Sequence, residues 1–455
     1  MTAPFADPPP GEVARPGGWA TFLHLLINTA VASLTSNFLW FALTFWVYLE
    51  TGSILATGVL GGGYMLLLAL SSMFFGSVVD RYRKLVVMRV SAWITVVAFA
   101  LSGTLFFTIP QESLLAVSGP WFWVFSAVIL AGCVVEQMRN LALATTVTLL
   151  IEEPRRANAN GLVGTVQGMA FLVTSVFSGL SIGMLGMGPT MVIAMLCALA
   201  PMIHLYLLRV SEPEIVRDPE YRAVDFRGGM RAILAVPGLF ALVLFSTFNN
   251  LTGGVFVALL DPYGLTLFDV EIWGIVLGFT SLGMIVGGLV IARTGLGTNP
   301  IRTMLVLVAV TGVIGMLFGL REWPWLFVGG IFVFMLIMPG IEAAEQTVIQ
   351  KVVPYERQGR VFGFAATFEA ATAPVTAFII APVAEFLVVP YLRTREGERQ
   401  WEWLLGTGDA RGMALIFVVA GLLSVILGVG ALFTRSYRLL ARSYATSEPG
   451  DHVGS

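Results

Sequence analysis

The sequence contains little charge and little cysteine for its length. Asp, Glu, Lys and Arg together make up 12% of its 455 residues, whereas soluble domains usually contain about 25%. So few charged residues cannot cover a water-facing surface, and the apolar segments lack the polar faces that a soluble helical protein needs, which excludes that class. The two cysteines, Cys133 and Cys197, fall in apolar runs and predict no disulfide framework.

Sequence motifs for nucleotide, metal or covalent chemistry are also missing. The chain contains no Walker loop, no metal-ligand cluster and no arrangement of a nucleophile with a base. We therefore expect no enzymatic activity, no ATP-driven pumping, no cofactor, no metal site and no nucleic-acid partner.

Long apolar runs fill most of the chain, because 57% of the residues are hydrophobic and the mean hydropathy is +0.85. A helix needs about 20 apolar residues to span a bilayer. Runs of this kind, nearly free of charge, occur at 16–49, 54–79, 90–111, 113–135, 157–208, 232–260, 272–292, 303–320, 323–341, 361–389 and 412–434. The run 157–208 is long enough for two spans and should break at Gly186, so the sequence predicts an all-α membrane protein with twelve spans.

The basic residues indicate how the chain is oriented in the membrane. If the N-terminus is cytoplasmic, the loops and tails on that side contain all but six of the 26 Lys and Arg residues, the exceptions being Arg139, Arg321, Arg393, Arg395, Arg399 and Arg411. Basic residues prefer the cytoplasmic loops of membrane proteins. We therefore expect a multi-pass protein of the cell (inner) membrane with both termini in the cytoplasm.

The two halves of the chain resemble each other. An offset of 212 residues aligns Gly76 with Gly288, and an offset of 202 aligns Gly161 with Gly363 further along the chain. The repeat predicts two six-helix bundles, at residues 19–209 and 236–434, joined by a cytoplasmic linker at 210–235. A cytoplasmic N-terminal tail (1–18) and a cytoplasmic C-terminal tail (435–455) complete the predicted organisation. Parallel repeats with a binding site between them are typical of secondary transporters.

A cluster of charged residues, GSVVDRYRK (76–84), separates the second and third predicted spans. It resembles a loop motif of the major facilitator superfamily, roughly G-x-x-x-D-R-x-G-R-K, and keeps Gly76, Asp80, Arg81, Arg83 and Lys84. The resemblance implies that Gly76 lets the second span pack closely on the eleventh. It also implies that Asp80 caps the N-terminal end of the eleventh span and holds a cytoplasmic gate closed in the outward-facing state.

Three other stretches resemble the branch of that superfamily that contains macrolide-efflux proteins and the enterobactin exporter. They are YLETGS (48–53), EEPRRANANG (152–161) and PYERQGRVFG (354–363). This resemblance implies the major facilitator fold, with twelve helices in two pseudo-symmetric bundles, and drug:proton antiport. The Gly-Pro antiporter motif of the fifth span appears only as SVFSGLSIG (175–183), without the proline.

Ionisable residues inside the predicted spans are candidates for proton coupling, because a charge at mid-bilayer costs about 2.5–3.5 kcal/mol on insertion scales. They are Glu136, Arg139, Glu342, Glu345 and Glu369. Glu136 and Arg139 lie three residues apart on one helix face, which is compatible with a proton-exchanging pair or with a purely structural one. Glu345 could instead be a gate residue with an arginine of a loop as its partner.

Polar amides and aromatic side chains near the same depth are candidates for substrate contacts. They are Asn37, Trp40, Phe41, Gln137, Asn140, Gln167, Asn249, Asn250 and Gln346. For the asparagines, hydrogen bonds between helices are an equally good interpretation, and most aromatic residues of such a chain face lipid or other helices. Four buried acids against one base favour a cationic substrate, with aromatic faces available for cation–π contact.

These observations predict a secondary active exporter that acts as a monomer in the lipid bilayer. It would move amphipathic, cationic drugs or natural products out of the cell by alternating access coupled to proton influx. Three alternatives remain: a siderophore or metabolite exporter in which Arg139 binds an anionic group, a proton-coupled importer, and a lipid-translocating or sensing protein on the same scaffold.

Reporter fusions test the predicted orientation. Green fluorescent protein attached after Ser455 should be fluorescent in a bacterial host, and alkaline phosphatase attached there should be inactive, because each needs a different compartment. Fusions that truncate the chain after Tyr391, in the predicted outside loop, should give the opposite pair of results. Active phosphatase after Ser455 would contradict the predicted cytoplasmic C-terminus.

Overall fold

The computed structural model describes residues 18–51, 54–210, 212, 226–406 and 410–446. Nearly all of the predicted N-terminal tail (1–18), most of the predicted linker and the last nine residues of the C-terminal tail lie outside the described residues. So do Gly52 and Ser53 of the YLETGS stretch.

Within the described residues the chain forms helices and no strand. In chain order they are α1 (Gly18–Thr51), α2 (Ile54–Arg81), α3 (Lys84–Thr108), α4 (Gln111–Leu115), α5 (Pro120–Leu150), α6 (Arg156–Leu185), α7 (Met187–Leu207), α8 (Phe226–Ala235), α9 (Leu239–Leu267), α10 (Val270–Thr294), α11 (Pro300–Phe318), α12 (Pro324–Val352), α13 (Tyr355–Pro382), α14 (Val389–Leu392), α15 (Arg395–Leu405), α16 (Arg411–Leu432) and α17 (Arg435–Thr446). A 3₁₀ turn (Glu153–Arg155) precedes α6, and a π-helical turn (Val383–Val388) precedes α14.

Eleven of the described helices are long and apolar enough to cross a membrane, namely α1, α2, α3, α5, α6, α7, α9, α10, α11, α12 and α16. A twelfth, α13, has 28 residues, which is also long enough, but it is more polar because it includes Arg357, Arg360 and Glu369. It packs along α2 and α9 and completes the set. The predicted all-α fold with twelve membrane helices is confirmed.

Several helices extend beyond the charge-free runs that predicted them. α5 continues past Glu136 to Leu150, and α12 continues past Glu342 to Val352. The charge-free runs end early because these acids lie inside the helices. α8 and α17 lie where the sequence predicted only a linker and a tail, and α15 lies in the predicted outside loop before the last span.

The break predicted at Gly186 is confirmed. α6 ends at Leu185 and α7 begins at Met187, and Gly186 between them has φ +76°. This left-handed conformation is disfavoured for residues with a Cβ atom. The glycine therefore allows two membrane helices to be joined by one residue.

Two helix pairs form the closest packing between the two halves of the chain. α2 packs against α13, and α6 packs against α10. A Cβ atom added at Gly76 of α2 would lie 3.0 Å from the Cα atom of Gly363 in α13. A Cβ atom added at Gly288 of α10 would lie 2.7 Å from the Cα atom of Thr165 in α6. Small residues allow such close approach of backbones, and the aligned glycines Gly76 and Gly288 thus each contact a helix of the opposite half.

These contacts lie in the halves of the helices that are nearer Gly18 and Thr446, the first and last described residues, and this side is here named the termini side. In the other halves, Gly62 of α2 and Gly183 of α6 have no other described part of the chain within 4 Å of an added Cβ atom. The two bundles are therefore in contact on the termini side, whereas α2 and α6 are open at Gly62 and Gly183 on the other side.

Replacing Gly76 with Ala tests the contact between α2 and α13. The added methyl group meets backbone atoms on both sides, and overpacking of this kind usually costs about 1–3 kcal/mol. We expect a lower melting temperature of the purified protein, measured by the exposure of buried cysteine on heating.

Gly62→Ala is the matched control in the same helix, and it should leave the melting temperature unchanged or raise it, because alanine is the better helix former by about 1 kcal/mol. Equal melting temperatures for the two variants would contradict the contact.

Candidate functional site

A cavity of about 530 Å³ lies between the two bundles. Its wall is formed by α1, α2, α5 and α6 on one side and by α10, α12 and α13 on the other. Its volume lies within the range of about 300–1,000 Å³ that is common for small-molecule sites. We name this cavity the chamber.

Ten of the residues predicted for proton coupling or substrate contact line the chamber. They are Glu136, Glu342, Glu345, Glu369, Asn37, Phe41, Gln137, Asn140, Gln167 and Gln346. The structure thus brings together acids and amides that are far apart in the sequence. Their roles stay predictions.

Four of the predicted residues lie outside the chamber lining: Arg139, Trp40, Asn249 and Asn250. The ring of Trp40 stacks on that of Tyr64, with 4.8 Å between centroids, so that Tyr64 rather than Trp40 faces the chamber. The side chain of Asn250 donates a hydrogen bond to the Ser246 carbonyl of its own helix, at 3.0 Å. These four residues are thus not among the described lining of the chamber, and their predicted roles stay predictions.

Small hydroxyl side chains on α1 also line the chamber, and the sequence interpretation did not include them. The hydroxyl of Ser33 lies 3.3 Å from Oε1 of Glu136 and 3.3 Å from Oδ1 of Asn140, and it can donate to either. Ser33 lies three or four residues before Ser36 and Asn37, which also line the chamber. This helical spacing was the signal in the sequence that could have identified Ser33.

Glu136 and Arg139 form a buried ion pair in α5. Nε of Arg139 lies 3.4 Å from Oε2 of Glu136, and the two residues are 1% and 3% exposed. Arg139 points behind the chamber wall, where its Nη1 donates to Oδ1 of Asn28 at 3.3 Å. Asn28 in turn donates to the Pro201 carbonyl of α7 at 2.8 Å. The acid of the pair thus faces the chamber, and the base holds α5 to α1 and α7.

Glu342 reaches across the chamber from the second bundle to the first. Its Oε1 accepts a hydrogen bond from Nε2 of Gln167 in α6, at 3.4 Å. Three residues before Glu342, α12 continues through Pro339 without interruption. The side chain of Pro339 packs against Gly164 of α6, where an added Cβ atom would lie only 2.7 Å from it. The chamber-facing side chain of Glu342 is accessible although the residue lies well inside a membrane helix.

Glu345 of α12 and Glu369 of α13 place their carboxyl groups side by side. The Oε1 atom of each is buried and has no hydrogen-bond partner in the described part of the chain. Glu345 therefore neighbours another acid, which differs from the expectation that a loop arginine would be its partner. Like charges in contact repel each other, so this pair requires a proton or a cation.

Asp80 of the GSVVDRYRK stretch holds α2 to α13. Its carboxylate accepts hydrogen bonds from the backbone N–H groups of Gly359 and Arg360, at 2.6 and 2.8 Å, and lies 3.8 Å from Nε of Arg360. These amides belong to the second turn of α13, near the helix end where a negative charge is favoured. The ammonium group of Lys84 donates to the Val79 carbonyl and lies 4.6 Å from the ring centre of Tyr355. Arg81 and Arg83 are exposed at the surface.

The EEPRRANANG and PYERQGRVFG stretches and the residues next to them form further contacts between the two bundles on the termini side. Lys351 of α12 forms an ion pair of 2.6 Å with Glu153, which precedes α6. Asn160 of α6 donates to Oε1 of Gln350 in α12 at 2.9 Å, and Thr148 of α5 donates to Oε1 of Gln358 in α13 at 2.8 Å. Sequence interpretation recognised these stretches as family signatures but not as the polar layer that joins the bundles beneath the chamber.

A chamber between two repeat-related bundles, closed toward one face of the membrane, defines a secondary transporter. A family model, described as Major Facilitator Superfamily, matches residues 25–377, which is more than half of the chain. The chain belongs to this superfamily. The predicted fold and superfamily membership are therefore confirmed, whereas the drug:proton antiporter branch stays a prediction. Comparison with curated proteins finds no match.

Solved structures of other transporters share this fold at low sequence identity. The proton:xylose symporter XylE, bound to 6-bromo-6-deoxy-D-glucose, has a TM-score of 0.67 and 9% identity, covering 95% of this chain and 100% of that one. The human organic anion transporter MFSD10 (TETRAN) has a TM-score of 0.64 and 14% identity, covering 91% and 100%. A bacterial homologue of the iron transporter ferroportin in an outward-facing state has a TM-score of 0.62 and 15% identity, covering 90% and 98%. At these identities the likeness establishes the fold alone.

Replacing Asp80 with Asn tests whether this carboxylate keeps the termini side closed. The amide removes the negative charge and places an NH₂ group against a backbone N–H, and a lost charged hydrogen bond typically costs about 1.5–3 kcal/mol. The equilibrium should therefore shift about tenfold or more toward a form that is open on this side.

Spin labels on cysteines at Tyr82 and Thr294, in a variant without Cys133 and Cys197, report this opening as a longer distance. Asn158→Ala is the comparison, because Asn158 joins α6 to the Ala292 carbonyl of α10 without a charge. An unchanged distance distribution in Asp80→Asn would exclude the gate role.

Proposed function

We propose that the protein exports amphipathic cations in exchange for protons, by alternating access between the two bundles. The observation that carries this proposal is the composition of the chamber. Its described lining includes four glutamates and no lysine, arginine or histidine. A wall of this kind favours a positively charged occupant, whether a proton or a cationic substrate.

Competition for the same carboxylates would couple the two transported species. A protonated carboxyl group no longer attracts a cation, and a bound cation favours release of the proton. Export then requires that protons and substrate occupy the chamber alternately as it opens to one side and to the other. The glutamates on both walls allow such competition to depend on how the bundles are positioned.

The uncharged part of an amphipathic substrate would contact the first bundle. Phe41 and Tyr64 present aromatic rings there, and Asn37, Gln137 and Asn140 provide hydrogen-bonding groups. Aromatic rings and scattered polar groups are the usual lining of sites that accept varied drug-sized molecules.

The contacts on the termini side support alternating access. Asp80, Lys351 and Asn160 each join one bundle to the other there, whereas on the opposite side α2 and α6 are open at Gly62 and Gly183. With the termini in the cytoplasm, as the basic residues predict, this arrangement corresponds to the outward-facing state, in which a substrate is released and a proton is bound.

The chamber gives less support to an anionic siderophore or metabolite as cargo. Arg139 was the residue expected to bind it, but its guanidinium group lies behind the wall and contacts Glu136 and Asn28. An anion in the chamber would face four acids without an opposing base in the described lining.

Replacing Glu136 with Gln tests the coupling role of the buried pair. Glutamine cannot exchange a proton, so gradient-driven export of a cationic dye should be lost. It also leaves Arg139 as a buried charge without its acid, which typically destabilises a protein by about 3–5 kcal/mol. Dye accumulation in cells, with and without an uncoupler, measures export, and thermal unfolding in detergent measures stability.

The double variant Glu136→Gln with Arg139→Met separates coupling from structure. Removing both charges should restore the melting temperature without restoring export. Export at the wild-type rate in this double variant would show that the pair is purely structural and would remove Glu136 from the coupling mechanism.

A further inference from the structure

The neighbouring carboxyl groups of Glu345 and Glu369 form a distinct site on the second wall of the chamber. Glu345 projects from α12 and Glu369 from α13, and both line the cavity. The other groups that interact with the pair are Ser246 of α9, whose side chain is buried, and Glu342, which adds a third acid. Among these neighbours there is no base.

The charge of this pair is the same in two different occupied states. With one proton shared between the two carboxyl groups, the pair has one negative charge. With both groups ionised and a monovalent cation between them, the net charge is again minus one. A proton and a monovalent cation can therefore replace each other without a change in the charge buried in the wall.

The hydrogen-bonding chemistry of the pair favours a cation with N–H bonds. The Oε1 atoms of both residues are buried acceptors that lack a donor in the described chain. An ammonium, amidinium or guanidinium group can donate one charge-assisted hydrogen bond to each carboxylate. A quaternary ammonium has no N–H bond to donate, and proteins bind such groups against aromatic rings.

The aromatic rings of the chamber are mostly on the other wall. Phe41 and Tyr64 belong to the first bundle, whereas the described lining of the second bundle contributes one aromatic ring, Phe362. The two walls thus offer different chemistry, with hydrogen-bond acceptors on the second bundle and aromatic surface mainly on the first.

We propose that the Glu345–Glu369 pair is the cation-binding site and that it selects protonated primary or secondary amines, amidinium or guanidinium groups over quaternary cations. This inference rests on the proposed export function and specifies its cargo. When the cation binds, the proton shared by the two carboxyl groups leaves to the water in the chamber, and both carboxylates accept hydrogen bonds from the cation. No covalent bond of the substrate is made or broken.

A matched pair of ligands tests this selectivity on the wild-type chain in lipid nanodiscs. The ligands are 4-phenylbutylamine, which is protonated near pH 7, and trimethyl(4-phenylbutyl)ammonium, which has the same apolar body. The amine should bind about tenfold more tightly or better, because one charge-assisted hydrogen bond alone can supply that difference. In weakly buffered solution, amine binding should release one proton per chain, and the quaternary ligand should release none.

Variants assign the effect to the pair. Glu369→Gln and Glu345→Gln each leave a single carboxylate that shares no proton, so both should abolish proton release and reduce the preference for the amine. Glu402→Gln is the control, because it makes the same chemical change on the exposed side of α15. This control should keep both the preference and the proton release.

The wild-type comparison needs no variant to fold, and its outcomes are separable from those of the export assay. Equal binding of the two ligands, binding of neither, or amine binding without proton release would overturn the proposal. If the same protein still exported a cationic dye against a proton gradient, the proposed function would stand while the amine site would not.

Discussion

Carboxyl groups inside a membrane-spanning chamber constrain the rest of this structure. Ionised carboxylates are strongly destabilised away from water, so each needs a proton, a base or a cation beside it. Glu136 has Arg139 at 3.4 Å, and that arginine is itself held by Asn28. Glu342, Glu345 and Glu369 have no base in the described chamber lining. Their charge has to be balanced by a proton or a cation that enters the chamber. The occupancy of the chamber and the ionisation of these glutamates therefore depend on each other.

The two repeat-related contacts between the bundles are similar in packing but different in charge. Glycines bring α2 to α13 and α6 to α10. At the first contact, the Asp80 carboxylate accepts from the α13 backbone, whereas at the second, the neutral side chain of Asn158 donates to the α10 backbone. An ion-dependent contact can be weakened by a change of charge nearby, and a neutral one responds much less. The symmetry of the fold therefore does not extend to how its two contacts respond to charge.

The fold could be predicted well from the sequence because its strongest signals are local or repeated. Apolar run lengths identify membrane helices, and Gly186 marks a turn that needs a positive φ. The resemblance of the stretch 76–84 to a family motif implied the close contact at Gly76, whereas the equivalent role of its repeat partner Gly288 became visible only in the structure. The charge-free runs alone end before Glu136 and Glu342, although the sequence interpretation placed both acids inside spans. α5 and α12 do continue through them, because a buried acid interrupts hydropathy without interrupting backbone hydrogen bonds.

The sequence by itself determined that this chain is a twelve-helix membrane protein with acids inside its spans, since hydropathy, charge distribution and internal repetition are properties of the linear order. Tertiary structure alone decided which side chains share the chamber. It placed Trp40 behind Tyr64, turned Arg139 toward Asn28 and brought Glu345 beside Glu369. The physical reason is that a lipid-facing surface and a helix-facing surface are equally apolar, so the rotation of each helix about its axis depends on packing with helices distant in the chain.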